Sequence, residues 1–269
     1  MRVDGHVHLW DARRGAVPTP YELATPVASV DDLLSHMARE GIERAVLVQP
    51  QVHGSDHRVL TSALARHADR FVGFGLAGAD ALSPDGILDE VRTISELGLA
   101  GVRVHLVGGT GEQAPAVAAA AARHGLALEV HVDEASWTRL EPLIAAAGER
   151  LVIIDHLARP DDPGSRWARE RLRVLAGHPN VVVKLAALDF VSRTPFPHED
   201  VLPLIAVAID AFGPDRLMWG SNFPWSRGED YGAGLRVIER LGLSGDAAEA
   251  ILGTTASRLL FADQSRAVA

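Results

Sequence analysis

Histidines stand at the ends of hydrophobic, β-branched runs in this sequence. Five of its twelve histidines do so: His6, His8, His105, His131 and His156. His6 and His8 are two residues apart in a strand-like run, so both side chains should point to the same face. Neutral imidazoles suit Zn²⁺ and similar ions, which commonly take three protein ligands and leave one position for water. The pattern predicts a metal held by His6, His8 and His131 or direct contacts with a substrate; hydrogen-bonded histidines at a rim are the structural alternative.

Two basic residues accompany these histidines. Arg103 shares a strand face with His105 and is a permanently charged fork for a carboxylate; the alternative is an ion pair with Glu129 on the next strand. Lys184 is the only lysine and lies within an apolar run, where a desolvated ammonium must be paired or have a depressed pKa. It would therefore bind a substrate anion or balance a carboxylate such as Asp155.

The order of the hydrophobic runs predicts the frame that brings these side chains together. Short β-branched runs alternate with Ala/Leu-rich helical patterns, as in βα units with a parallel sheet. Helical patterns include residues 30–41, 114–125, 200–213 and 245–260, and the eight strand-like runs are 2–9, 44–50, 71–77, 101–106, 127–132, 151–157, 180–188 and 216–223. Eight such units predict an α/β fold, a single-domain (β/α)₈ TIM barrel over residues 1–269, with its active site at the carboxyl ends of the strands.

Composition narrows the classes of partner. The net charge is −9 and basic residues form no cluster, which argues against nucleic-acid binding because phosphate contacts need clustered positive charge. The absence of cysteine rules out thiolate metal ligands. The first strand-like run begins within three residues, and neither a basic leader nor an 18-residue apolar stretch precedes it, so we expect a cytoplasmic protein. The expected partner is a small-molecule substrate, with no membrane partner; whether the chain forms a homo-oligomer stays open.

Several segments together resemble one enzyme superfamily. The segments are "DGHVHLWD", "VLVQPQVHGSDHR", "GVRVHL", "VIIDHLARP", "NVVVKLAAL", "RLMWGSNFPW" and "AEAILGTTASRLL". They are similar to the amidohydrolase superfamily and, within it, to the amidohydrolase-2 branch of TIM-barrel hydrolases that contains sugar lactonases and pyrone-dicarboxylate lactonase. The resemblance runs from the first strand to the C-terminal helix. It implies hydrolysis of a small cyclic ester or a related carbonyl compound.

The resemblance also implies roles for single residues. The strand-1 pair of the family falls on His6 and His8, its strand-6 histidine on His156, and its carboxylate-binding arginine on Arg103. Lys184 matches a strand-7 lysine, and some relatives carry a strand-5 histidine at the position of His131. Several lactonases of this branch work without metal, whereas the related decarboxylases require zinc. The cofactor is therefore one divalent metal, zinc before others, or none.

Asn222 stands where the family usually has an aspartate that serves as general base. An amide neither accepts a proton at neutral pH nor supplies negative charge to a cation. Three interpretations follow: a natural variant in which a metal or His156 activates water, an introduced replacement of the catalytic aspartate, or a barrel that hydrolyses nothing. In the first of these, the metal polarises the carbonyl, His156 orients or deprotonates the water, and Asn222 hydrogen-bonds it.

The long segments after the first and last strands are expected to roof the site. They supply Trp10, Tyr21, His53 and Trp225 as candidate substrate contacts, with the two tryptophans forming apolar walls for a ring-shaped molecule. Loop packing is the alternative for each. The main prediction is hydrolysis of a small anionic lactone; the alternatives are a metal-dependent decarboxylase, a lactone isomerase, and an impaired barrel that only binds a ligand.

Overall fold

Eight parallel strands form a barrel in the computed structural model, which describes residues 1–16, 23, 25–78, 83–107, 111–226 and 230–262. The strands in chain order are β1 (Val3–Val7), β2 (Trp10–Asp11), β3 (Val27–Ala28), β4 (Arg44–Val48), β5 (Phe71–Leu76), β6 (Gly101–His105), β7 (Ala127–His131), β8 (Val152–Ile154), β9 (Val181–Ala186) and β10 (Leu217–Gly220). β2 and β3 form a separate antiparallel pair, and the other eight are hydrogen-bonded in chain order. The predicted (β/α)₈ barrel is confirmed.

The barrel closes between β1 and the segment that follows β10. The backbone N–H of Asn222 donates to the carbonyl of His6 at 2.9 Å, and the N–H of His8 donates to the carbonyl of Phe223 at 2.7 Å. The carboxylate of Asp4 spans the same seam, because Oδ1 accepts the N–H of His6 at 3.1 Å and of Ser221 at 2.9 Å. Barrel closure thus fixes the positions of His6, His8 and Asn222.

Helices cover the outside of the barrel. They are α1 (Val30–Arg39), α2 (Arg58–Arg66), α3 (Pro84–Glu96), α4 (Ala114–Arg123), α5 (Leu140–Ala147), α6 (Arg166–Ala176), α7 (Leu188–Val191), α8 (Leu202–Phe212), α9 (Ala233–Glu239), α10 (Gly245–Glu249) and α11 (Thr255–Leu260). Serines begin α1, α3, α6 and α10 and accept a backbone N–H of the first turn, as N-cap residues do. The predicted C-terminal helix is confirmed as α10 and α11, joined by a π-helical turn. Within the described residues, no helix is both long and apolar enough to cross a bilayer.

The lumen of the barrel changes from apolar to charged along its axis. Val46, Phe74, Ile153 and Met218 belong to a buried apolar cluster contributed by the strands. Lys184 lies over the ring of Phe74, with Nζ at 5.8 Å from the ring centre. The charged side chains of the lumen therefore rest on a dry apolar layer, where any unpaired charge is costly.

The predicted sixth and eighth strands end earlier than expected. β8 stops at Ile154. Shortly after it, the residues from His156 to Arg159 have φ of 54°, 55°, 59° and 40°. β10 stops at Gly220, and Asn222 has a φ of 64°. Such left-handed conformations cost roughly 1–2 kcal/mol for most residues and persist where the surroundings enforce them. Placing His156 and Asn222 within strands was therefore wrong, since both lie on turns just beyond the strand ends.

Candidate active site

A pocket with about 680 Å³ of empty space opens at the carboxyl ends of the strands. Its polar wall is formed by His8, Arg103, His105, His131, His156, Arg159 and Asn222. Its apolar wall includes Val52, Phe190, Val191 and Trp225. Four of the five strand-end histidines therefore line one cavity, at the end of the barrel where such enzymes carry their reactive groups.

The fifth histidine, His6, is fully buried behind His8. The Nδ1–H of His8 donates to the carbonyl of Val48 at 2.8 Å, which leaves Nε2 of His8 as an acceptor. Nε2 of His6 lies 3.1 Å from Nε2 of His8, and Nδ1 of His6 lies 3.1 Å from Nζ of Lys184, 3.3 Å from Glu129 and 3.4 Å from Asp155. Burial lowers the pKa of His8 well below its usual 6.5, and the neighbouring His6 and Arg103 add to this effect. His8 is thus fixed in orientation by Val48 and is neutral at physiological pH.

Four buried charges surround His6. Lys184 donates to Glu129 at 2.5 Å and lies 3.7 Å from Asp155, while Arg103 donates to Asp155 at 3.0 Å and lies 3.8 Å from Glu129. Burial raises the pKa of Asp155, but the neighbouring His6, Lys184 and Arg103 outweigh it and hold that pKa well below 3.8. Two carboxylates therefore face two cations, and the cluster is neutral as a whole.

Both basic residues form ion pairs, but their main partners are exchanged relative to the prediction. Lys184 contacts Glu129 at 2.5 Å, and the predicted partner Asp155 lies 3.7 Å away. Arg103 lines the pocket and contacts Asp155 at 3.0 Å, whereas the predicted partner Glu129 lies 3.8 Å away. Lys184 is 0% exposed and lies beneath the pocket. Substrate binding by these two residues stays a prediction, and the structure gives both of them a different, electrostatic partner.

Three further histidines complete an arc of rings around the pocket. His131 Nδ1 and His105 Nε2 share a hydrogen bond of 2.7 Å, and the ring of His156 lies 5.1 Å from that of His131 and 4.8 Å from that of His6. Burial lowers the pKa of His131 and His156 well below 6.5 and, with help from Arg103, lowers the pKa of His105 to about 3. Nδ1 of His156 is buried and has no hydrogen-bond partner within the described part of the chain.

The residues fit a divalent metal. The Nε2 atoms of His6 and His8 are 3.1 Å apart, close to the separation of two ligands on one ion with bonds of about 2.0–2.1 Å. Within the described ranges, His6, Asp155 and His156 also bring one ligand atom each within 4.8 Å of one another. That group contains Asp155 in place of His131, so His131 as the third ligand stays a prediction. The sequence predicted Asp155 only as a countercharge and not as a candidate metal ligand.

Asn222 and Trp225 lie on the pocket wall. Among the described residues, the side-chain amide of Asn222 donates one long hydrogen bond, 3.5 Å, to the carbonyl of Trp225, which leaves it able to bind a molecule in the pocket. Its φ of 64° suits asparagine, aspartate and glycine better than other residues. The backbone conformation thus explains why one of these three residues stands at position 222. It does not distinguish asparagine from aspartate, which differ in charge.

The other predicted loop contacts take structural positions. Trp10 is 0% exposed and donates from Nε1 to the carbonyl of Thr25 at 2.8 Å. His53 uses both ring nitrogens, donating to the carbonyl of Gly15 at 3.0 Å and accepting the N–H of Asp11 at 3.1 Å. Neither side chain lines the pocket, although Trp10 packs behind Trp225 with ring centres 5.0 Å apart. Tyr21 lies outside the described residues.

The pocket also contains residues that the sequence analysis missed. Arg159, Phe190 and Val52 all contribute to its walls. Arg159 follows His156 by three residues in "DHLARP", a spacing that would have been informative only if the left-handed turn had been foreseen. Phe190 reaches the pocket because α7 begins directly after β9, and nothing in its local sequence indicates that.

Comparison with known proteins identifies relatives along most of the chain. A family model described as amidohydrolase matches residues 3–262. The 4-sulfomuconolactone hydrolase of Rhizobium radiobacter is 32% identical over 83% of this chain and 75% of that protein. The L-fucono-1,5-lactonase of Burkholderia ambifaria is 30% identical over 89% of this chain and 87% of that protein. A zinc-bound crystal structure of an amidohydrolase from Burkholderia multivorans has a TM-score of 0.78, 21% identity and coverage of 97% and 99%, which shows a shared fold.

Proposed function

The chain belongs to the amidohydrolase family, and we propose that it hydrolyses the ester bond of a small anionic lactone. Relatives named as lactone hydrolases support ester chemistry. The pocket supports a small substrate with an apolar ring and a charged group, because Phe190 and Trp225 line the same cavity as Arg159 and several neutral imidazoles. A metal ion such as zinc, consistent with the imidazole donors, would be held by His6 and His8 beside Asp155, and would polarise the lactone carbonyl.

One observation carries this proposal: His156 lines the pocket, and its buried Nδ1 has no hydrogen-bond partner among the described residues. Its pKa is lowered by burial, so the ring is neutral and its lone pair is available at physiological pH. Such a group can take a proton from a water molecule that attacks the lactone carbonyl. The same imidazolium can then protonate the alkoxide that leaves as the ring opens.

Asn222 is suited to the charge that develops during attack. Asn222 lines the pocket, and the one side-chain hydrogen bond that it makes to the described residues is a long one of 3.5 Å. An amide donor near a developing oxyanion stabilises the transition state. His8 cannot take this role, because its Nδ1–H already donates to Val48. The product is a hydroxycarboxylate, so each turnover at neutral pH releases one proton to the solvent.

Proton release gives a direct test. We expect the protein to hydrolyse γ-butyrolactone-γ-carboxylate, followed with a pH indicator, and His156→Asn to lower kcat by about 10²–10⁴-fold, the usual contribution of a general base. Asparagine tolerates the φ of 54° at this position, so the variant should fold. Full activity in His156→Asn would contradict the proposed base.

Metal content and Asn222 are tested alongside. Elemental analysis of freshly purified protein, with assays before and after chelation, determines whether the His6–His8 pair holds an ion. Activity of the unaltered chain would make Asn222 a working residue of the site. Activity confined to Asn222→Asp would mean that the asparagine has switched off a lactonase and would refute the proposed role of the amide.

A metal-dependent decarboxylase is the second candidate function. The observation that favours it is the group formed by His6, Asp155 and His156, which can hold the metal that this chemistry requires in the superfamily's decarboxylases. Release of CO₂ from hydroxybenzoates, without proton release from any lactone, would support this function over hydrolysis.

A further inference from the structure

We propose that Arg159 is the residue that selects an anionic substrate, by binding the carboxylate of a lactone whose ring lies against Trp225 and Phe190. The inference rests on the proposed function and names the charged group that this pocket recognises. In this proposal the selecting cation is Arg159 rather than Arg103 or Lys184, the two cations that the sequence indicated. They hold Asp155 and Glu129 in place instead.

The guanidinium of Arg159 has no ionic partner in the described portion of the chain. It lines the pocket, and its closest polar side-chain contact is a long one, 3.5 Å from NH1 to Nε2 of His131. No Asp or Glu oxygen of the described residues lies within 4.0 Å of it. An arginine fork without a carboxylate on a pocket wall is ready to take one from a ligand.

The other basic side chains are already neutralised. Arg103 donates from both Nε and NH2 to Asp155, at 3.3 and 3.0 Å, and Lys184 is held by Glu129 at 2.5 Å. Drawing either cation towards a ligand would leave a buried carboxylate uncompensated, which costs several kcal/mol. An anion entering the pocket therefore meets a balanced cluster below it and an unbalanced charge at Arg159.

The left-handed turn after β8 places this charge beside the proposed base. Residues 156–159 all have positive φ, and both ends of the turn contact the same ring: Arg159 approaches Nε2 of His131, and His156 packs against it with ring centres 5.1 Å apart. A carboxylate bound by Arg159 would thus hold its lactone ring close to His156. The apolar side chains of Phe190 and Trp225 complete a site for a lactone ring that bears a carboxylate.

A matched pair of substrates tests this directly. γ-Butyrolactone and γ-butyrolactone-γ-carboxylate differ only in the charged group. We expect Arg159→Gln to raise KM for the carboxylated lactone by about 10- to 100-fold, equivalent to about 1.4–2.8 kcal/mol at 1.4 kcal/mol per tenfold. We expect kcat/KM for the neutral lactone to change by less than about threefold, because uniform binding of the ring is unaffected.

Two further variants keep the result interpretable. Arg159→Lys retains the charge without the fork and should recover part of the lost affinity, whereas a merely structural role would give no such recovery. Arg193→Gln, on the loop between α7 and α8 with its side chain 67% exposed, is the control and should match the unaltered protein. Equal losses for both lactones in Arg159→Gln, or an unchanged KM for the carboxylated one, would overturn the inference.

A binding measurement separates this inference from the proposed function. If the unaltered protein hydrolyses neither lactone, the proposed function fails, but calorimetric titration with cyclopentanecarboxylate still tests Arg159. A roughly tenfold or greater loss of affinity in Arg159→Gln, absent in Arg193→Gln, supports the inference. Equal affinity in the two variants refutes it whatever the reaction is.

Discussion

Replacing Lys184 with methionine should destabilise the protein through the carboxylates that it leaves behind. Lys184 is 0% exposed, and its ammonium contacts Glu129 at 2.5 Å, His6 at 3.1 Å and Asp155 at 3.7 Å. Methionine has nearly the same length and flexibility, so little cavity is created. The effect of Lys184→Met therefore measures charge rather than packing.

The expected magnitude follows from the geometry of the cluster. Removing one partner of a buried ion pair typically costs 3–5 kcal/mol, because the other charge stays buried. Arg103 lies 3.8 Å from Glu129 and compensates it in part, so we expect about 3 kcal/mol for Lys184→Met. Glu129→Gln strands the ammonium instead and should cost about as much. The double variant leaves only the Arg103–Asp155 pair. Its cost should be about 1–3 kcal/mol smaller than the sum of the costs of the two single variants.

Equilibrium unfolding in urea of the four proteins completes this double-mutant cycle. Arg92→Met is the matched control, since Arg92 pairs with Asp89 and Glu96 at 3.0 and 2.9 Å but is 52% exposed; it should cost less than about 1 kcal/mol. Two results would refute the idea that Lys184 and Glu129 compensate each other's buried charge. One is strict additivity of Lys184→Met and Glu129→Gln, and the other is a cost for Lys184→Met no greater than that of the control.

Two further predictions concern acid stability and the seam of the barrel. The pKa of His105 is lowered from 6.5 to about 3; below pH 6.5 the unfolded chain therefore binds a proton that the folded chain does not, and stability falls as the pH drops from 6.5 towards 3. His105→Asn should narrow the difference in unfolding free energy between pH 7 and pH 5 by up to about 2 kcal/mol, and an unchanged difference in urea titrations would contradict this. Asp4→Asn places an NH₂ group where oxygens now accept from His6, Ser221 and the hydroxyl of Tyr231 at 2.7 Å. We expect it to lower the free energy of unfolding by about 1–3 kcal/mol, against about 0.5–1.5 kcal/mol for Tyr231→Phe. A larger loss for Tyr231→Phe in thermal unfolding would refute the role of Asp4 in closing the barrel.

The barrel was predictable because its pattern is local. A parallel strand buried on both faces is a short apolar run, and its helix is a longer amphipathic one, so the alternation along the chain is visible without tertiary information. The strand-end histidines could be placed by the same logic, and four of them line one pocket. The ends of β8 and β10 were not predictable, because nothing in "DHLARP" or "GSNFP" dictates a left-handed backbone for ordinary residues.

The distribution of charge was even less accessible from sequence. Arg103 and Lys184 were recognised as unusual, but their partners depend on the distance across the lumen between β6, β7, β8 and β9. Arg159 was overlooked because an arginine in a turn is ordinarily a solvated side chain. Only the fold shows that Arg103 and Lys184 are paired with carboxylates and that Arg159 has no carboxylate partner among the described residues.

This distribution bears on the asparagine at position 222. Glu129, Asp155, Lys184 and Arg103 cancel one another, and the histidines with lowered pKa are neutral, so Arg159 decides the sign of the charge that a ligand meets on the described wall. An aspartate at 222 would add a negative charge to the same wall and weaken the attraction for an anionic substrate. An amide keeps the hydrogen bonds and omits that charge. Asn222 and Arg159 are then two parts of one electrostatic arrangement, in which His156 is the proposed base.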